Sequence, residues 1–167
     1  MLNSRYPAAP GAEQFWQFSL KLYPAIKPLC LDWQDRLGAN VNLLLLLCYL
    51  EQQQLSFSAS ALAQLNTVLE NFSRQFTRPL RQLRRSASQS PLNPTQQQQL
   101  KQHLLSAELE LERLEQQLLL QYCPELTASP APLLQHYLQL LGADSKAEAG
   151  QLIDLRQKLA LLARERR

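Results

Sequence analysis

Hydrophobic positions recur along this chain at the three-and-four spacing of amphipathic helices, from residue 12 almost to its end. Phe15, Trp16, Ser19, Leu20 and Tyr23 fall on neighbouring turns of a first helix. Pro24 is expected to end it and to open a second, which runs to about Leu37 and buries Ile26, Leu29, Cys30, Trp33 and Leu37. Gly38 stops that helix, and Asn40 caps a third that extends to roughly Gln54. Only Asn42 interrupts the apolar run from 41 to 50. A helix apolar on all sides belongs at the centre of a core.

A fourth helix starts at Ser58 or Ser60 and carries Leu62, Leu65, Leu69, Phe72 and Phe76. Thr77-Arg78-Pro79 is expected to interrupt it, and a short basic helix follows to about Ala87. After the loop "SQSPLNP", Thr95 and Gln98 have capping-box spacing for a long helix to about Tyr122. Its expected seam is Leu104, Ala107, Leu111, Leu114 and Leu118. A second loop, "CPELTASPAP", precedes a helix from Pro132 to Gly142. Ser145 and Glu148 suggest a further capping box, opening a last helix with the stripe Leu152, Leu155, Leu159 and Leu162.

No alternating strand pattern competes with this reading. The expectation is an all-α single domain, a bundle of about seven to eight helices around the central apolar helix (residues 41–54). Residues 1–11 are expected to form a flexible N-terminal arm and residues 12–167 the domain. Composition agrees: 46% of the 167 residues are hydrophobic, 19% are charged, and there are only four glycines. The longest apolar run, Leu43 to Leu50, falls short of the roughly 20 residues that span a bilayer. The first fourteen residues lack the apolar centre of a signal peptide. Cys30, Cys48 and Cys123 are widely spaced in apolar surroundings, as buried reduced thiols are. A cytoplasmic location is expected.

Two polar groupings stand out. Asp32, Gln34, Asp35, Asn40 and Asn42 crowd the junction ahead of the apolar helix. The structural reading makes them a buried network, with Asp35 and Asn40 satisfying the free backbone ends of the two helices. The rival reading makes them a carboxylate–amide pocket for a small ligand, a reaction or a divalent cation.

The stretch "CLDWQDRLGANVNLLLLLCYLE" resembles the signature of a bacterial family of small uncharacterised proteins. In that family a Cys-Leu-x-Leu-Gln-Asp segment is followed by Gly, Asn or Asp, then Val-Asn-Leu-Leu-Leu; here Trp33 stands in place of the second Leu. "PLRQLRR" (79–85) and "SAELELERLEQQ" (106–117) are similar to the same family, and the resemblance spans roughly residues 13–120. It implies a domain of unknown function, with no activity, cofactor or site attached.

The second grouping is Arg74, Arg78, Arg81, Arg84 and Arg85, with no acid between them. Such a row can dock an acidic protein, grip phosphates or nucleic acid, or pair with Glu108, Glu112 and Glu115. A simple hairpin turning at 88–94 sets Arg74 against Glu108, but Arg81 and Arg85 against Lys101 and Gln97. Part of the row is then left without acids. The net charge of +3 demands no acidic partner. His103 and His136 have no Cys or acid at catalytic or metal spacing, and no phosphate loop, nucleophile elbow or zinc pattern exists. No cofactor, metal or catalytic residue is therefore assigned. The leading expectation is a protein-interaction or regulatory module that docks a protein partner, or a second copy, through the Arg face. A small-ligand binder or enzyme using Asp32, Asp35, Asn40 and Asn42 is the alternative, and a nucleic-acid or phosphate binder the third.

Overall fold

A computed structural model describes residues 7–165, and its regular elements are all helical, apart from one isolated bridge between Ser56 and Thr127. Helix α1 is Ala12–Leu37, α2 is Val41–Gln52 and α3 is Ala59–Phe72. A π-helical turn, Ser73–Thr77, joins α3 without a break to α4, Arg78–Ser86. After a 3₁₀ turn come α5 (Pro94–Gln121), α6 (Leu133–Leu140) and α7 (Ser145–Arg164). The all-α expectation holds. Among the described residues the count is six continuous rods rather than seven to eight, because neither expected proline break occurs.

The first missing break is at Pro24. It and Pro28 lie inside α1, and each removes a backbone donor. Both stand on the exposed side, where water can satisfy the freed carbonyls of Leu20 and Pro24. The opposite face buries Phe15, Phe18, Leu22, Ile26, Leu29, Cys30 and Trp33, which holds the helix straight through. The second missing break is at Pro79, which cannot donate to Gln75. The chain answers by widening one turn, so that Arg78 N–H donates to Ser73 O, five residues back.

Helix α2 is the centre of the bundle: every residue from Asn42 to Leu50 is buried. Gly38, at φ 72°, ends α1 in the left-handed region, and Asn40 caps α2 by accepting from Leu43 N–H at 3.2 Å. Helix α7 lays Leu152, Leu155 and Leu159 into the same core, so this stripe closes within the chain. The α7 cap is Asp144, not Ser145, because Glu148 is engaged elsewhere: it accepts from Trp33 Nε1 at 2.9 Å and pairs with Arg36 at 3.0 Å. Residues 1–6 of the expected arm lie outside the described residues. Of the rest, Pro10 is buried and Ala9 packs against the core.

Cys30 and Cys48 are buried and Cys123 is half-buried, all as free thiols. Burial pushes Cys30 up to about 12 and Cys123 up to about 11, so neither is a thiolate nucleophile at neutral pH. No helix of the described residues is long and apolar enough to cross a membrane.

Candidate functional site

Helix α5 departs most from its expected orientation. Its leucine seam does not face the core: Ala107 and Leu114 are exposed, and Leu104, Leu111 and Leu118 are only half-buried. The inward face carries Glu108, Glu115, Gln116 and Leu119, with Glu112 half-buried beside them. Burying carboxylates costs several kcal/mol unless each is matched, so these must have partners. They come from three elements.

From α4, Arg81 Nε donates to Glu108 at 2.9 Å and Arg84 binds the other Glu108 oxygen. The junction supplies Asn40, whose Nδ2 donates to Glu115 Oε1 at 2.8 Å while its backbone N–H donates to the Tyr137 hydroxyl, also at 2.8 Å. Within α2, Asn42 Nδ2 donates to the Glu112 carbonyl at 3.3 Å, and its Oδ1 accepts from Gln116 Nε2 at 3.1 Å. Gln116 Nε2 also donates to Ser19 Oγ, whose hydroxyl is bonded to the Phe15 carbonyl.

The expected hairpin register is therefore wrong. Arg81 faces Glu108 rather than Lys101, because the 3₁₀ turn at Ala87–Gln89 and the cap at Asn93 reset where α5 begins. Asn93 forms the capping box with Gln96, and Pro94 occupies the first helical position, where its missing N–H is harmless. The Thr95–Gln98 pair is not the cap.

Between α1, the start of α2, α4 and α5 lies a recess of about 600 Å³. Its apolar walls include Trp16, Leu20, Tyr23, Val41, Leu105 and Leu109, and its polar lining includes Gln34, Asn40, Asn42, Glu108, Glu112, Glu115 and Gln116. Lys27, Arg78, Arg81, Arg84 and Arg85 line it as well. Of these cations, Arg78 is paired with Glu70 at 2.7 Å, Arg81 and Arg84 with Glu108. Lys27 and Arg85 are exposed and make no ion pair with any described residue. Arg74 is exposed and lies outside the recess lining.

The carboxylates differ in state. Burial pushes Glu108 up, but the Arg84 and Arg81 hydrogen bonds outweigh it and hold the group below the usual carboxylate range. Burial raises Glu112, and the Arg81 guanidinium at 3.6 Å only partly offsets it. Glu115 is raised by burial against the pull of Asn40. One helix thus offers a firmly ionised carboxylate and two that hold protons more readily.

The junction cluster splits apart. Gln34, Asn40 and Asn42 join the recess, whereas Asp32 turns away to Arg36 at 2.7 Å and Gln151 at 3.2 Å. Asp35 is exposed and bonds to none of the described residues around the junction, so it does not cap α2. The two aspartates do not converge on a shared site. Among the described residues no group of three or more His, Cys, Asp or Glu side chains is placed to hold a metal ion. The inward carboxylates of α5 escaped the sequence reading as site residues. Their i, i+4, i+7 spacing was visible, but it competed with an equally regular leucine stripe.

A family model described as "Protein of unknown function (DUF2390)" matches residues 14–119, which contain α2 to α4, nearly all of α1 and α5 and every residue lining the recess. No curated protein and no solved structure matches the chain.

Proposed function

We propose that the chain, which belongs to this family of unknown function, is a small-ligand-binding protein whose ligand occupies the recess between α1, α2, α4 and α5. One observation carries the reading: α5 buries Glu108 and Glu115 while Leu105, Leu109 and Leu114 stay 39–47% exposed. A helix that served packing alone would be rotated the other way. The rotation places ionisable and amide groups around a concavity of ligand size, with apolar walls and a few polar anchors. The π-helical turn supports it too, since the widened turn precedes Arg78, Arg81 and Arg84, and such turns favour functional positions.

The test uses the intact protein, incubated with a protein-free extract of small molecules, desalted and examined by native mass spectrometry. Wild type should retain an added mass, and the Lys27→Glu/Arg85→Glu double variant should lose it. Both side chains are exposed, so the double variant should fold. No retained mass contradicts the proposal, as does a mass retained equally by wild type, this double variant and a Glu112→Gln variant.

Docking of an acidic protein is the second reading, and it now rests on less of the Arg row. Arg74 is exposed, pairs with no described residue, and shares the π-helical turn with Phe76, which is 45% exposed. Under this reading Arg74→Glu abolishes partner capture and leaves small-molecule retention intact. Nucleic-acid binding draws on the same row, of which Arg78, Arg81 and Arg84 are already tied to carboxylates.

A further inference from the structure

The hydrogen bonds lining the recess restrict what can enter it. Asn42 Nδ2 is spent on the Glu112 carbonyl, so its Oδ1 is an acceptor and the Gln116 group facing it must be the donating Nε2. That assignment leaves Gln116 Oε1, on a side chain only 3% exposed, with no partner among the described residues. A buried acceptor without a donor is costly, but Gln116 Oε1 is closed off from the recess that its residue lines, so the acceptor a ligand can reach is another.

Glu112 is that acceptor. Glu108 is saturated by two guanidiniums and Glu115 is held by Asn40, but the Glu112 carboxylate has only Arg81, at 3.6 Å. That carboxylate is half-buried on the part of α5 that lines the recess. The unspent cations, Lys27 on α1 and Arg85 on α4, line the recess from other helices. A purely anionic ligand would suit Lys27 and Arg85 but would meet Glu112. A purely cationic one would suit Glu112 but would meet the two cations.

We infer, resting on the ligand-binding reading, that the recess takes a small amphoteric compound of the amino-acid or short-peptide type, its N–H donor head on Glu112 and its anionic end on Lys27 and Arg85. The groups around Glu112 are Tyr23 on α1, Arg81 and Arg84 on α4, and Glu108 and Glu115 on its own helix. The head must therefore supply the direct charge-assisted bond that Arg81 does not make.

Binding of L-glutamine, glycyl-glutamine, citrate and spermidine to the full chain can be followed through Trp16, which lines the recess, and checked by calorimetry. An amphoteric probe should bind, with Glu112→Gln and Arg85→Ala each weakening it by about tenfold or more. Binding of citrate alone, abolished by Arg85→Ala, overturns the amphoteric character while keeping the recess as a ligand site. Binding of spermidine alone, abolished by Glu112→Gln, does the same. Amphoteric binding indifferent to both substitutions, or binding by no probe, overturns this inference, while the recess reading stands or falls on the mass retained from the extract.

Discussion

Asn40 and Glu115, 75 positions apart in the chain, are joined by a 2.8 Å hydrogen bond that ties the N-terminus of the central helix to the inward face of α5. The same asparagine accepts from Leu43 N–H, so one side chain both caps α2 and satisfies a buried carboxylate. The bond helps, with those of Arg81, Arg84 and Asn42, to hold the rotation of α5 that makes the recess.

Asn40→Ala should therefore cost more than a cap. It removes the acceptor for Leu43 N–H and takes the Asn40 donor from buried Glu115, for a loss of about 2–4 kcal/mol in urea unfolding. Asn40→Asp keeps the cap but sets a second carboxylate against Glu115, so its deficit should shrink on mild acidification.

Arg81 and Arg85 should behave oppositely. Arg81→Ala removes one of the two guanidiniums on Glu108, which is 4% exposed, and should lower stability by about 2 kcal/mol. Arg85→Ala should leave the melting temperature within the scatter of a surface substitution. Parallel thermal melts of the two variants decide the point.

Stability should rise as pH falls from neutral towards the ordinary carboxylate range. Glu112 and Glu115 have raised values in the fold, so the folded state binds protons there before the unfolded chain does. Their contribution is fully present below the unfolded value and is lost as pH rises through the folded one. Glu108 runs the other way: its value is lowered, so its contribution is lost as pH falls further, below the usual range. A melting temperature with a mildly acidic maximum is expected, and Glu115→Gln should raise stability at neutral pH and flatten the alkaline side of that maximum. Gln can still accept from Asn40 without carrying charge.

Asp35→Asn should be silent. The carboxylate is exposed, and α2 is capped by Asn40 instead. A loss of about 1 kcal/mol in chemical denaturation would restore a capping role to Asp35.

Much of the architecture was legible because the signals were local. An apolar run interrupted only by Asn42 had to be buried, Gly38 had to end a helix, and the stripe of Leu152, Leu155 and Leu159 had a single plausible face. What stayed hidden depends on partners from distant segments. Helix α5 carries two regular faces, one of leucines and one of glutamates. Nothing within it reveals that Arg81, Arg84 and Asn40 will compensate the acidic one. Pro24 and Pro28 broke the usual rule because their helix face is wet, which their local sequence does not disclose. The Arg row misled for the same reason: its register against α5 depends on a 3₁₀ turn and on a cap at Asn93 rather than Thr95.

The central claim, that the recess is where this protein meets its ligand, is tested most directly by amide hydrogen exchange on the intact chain with and without the compound it retains. Protection is expected at the start of α2, around residues 39–45, and along α5 between residues 105 and 116, the two segments that the Asn40–Glu115 bond joins. Protection confined to Arg74, Phe76 and their neighbours, with these two segments unchanged, would contradict the claim.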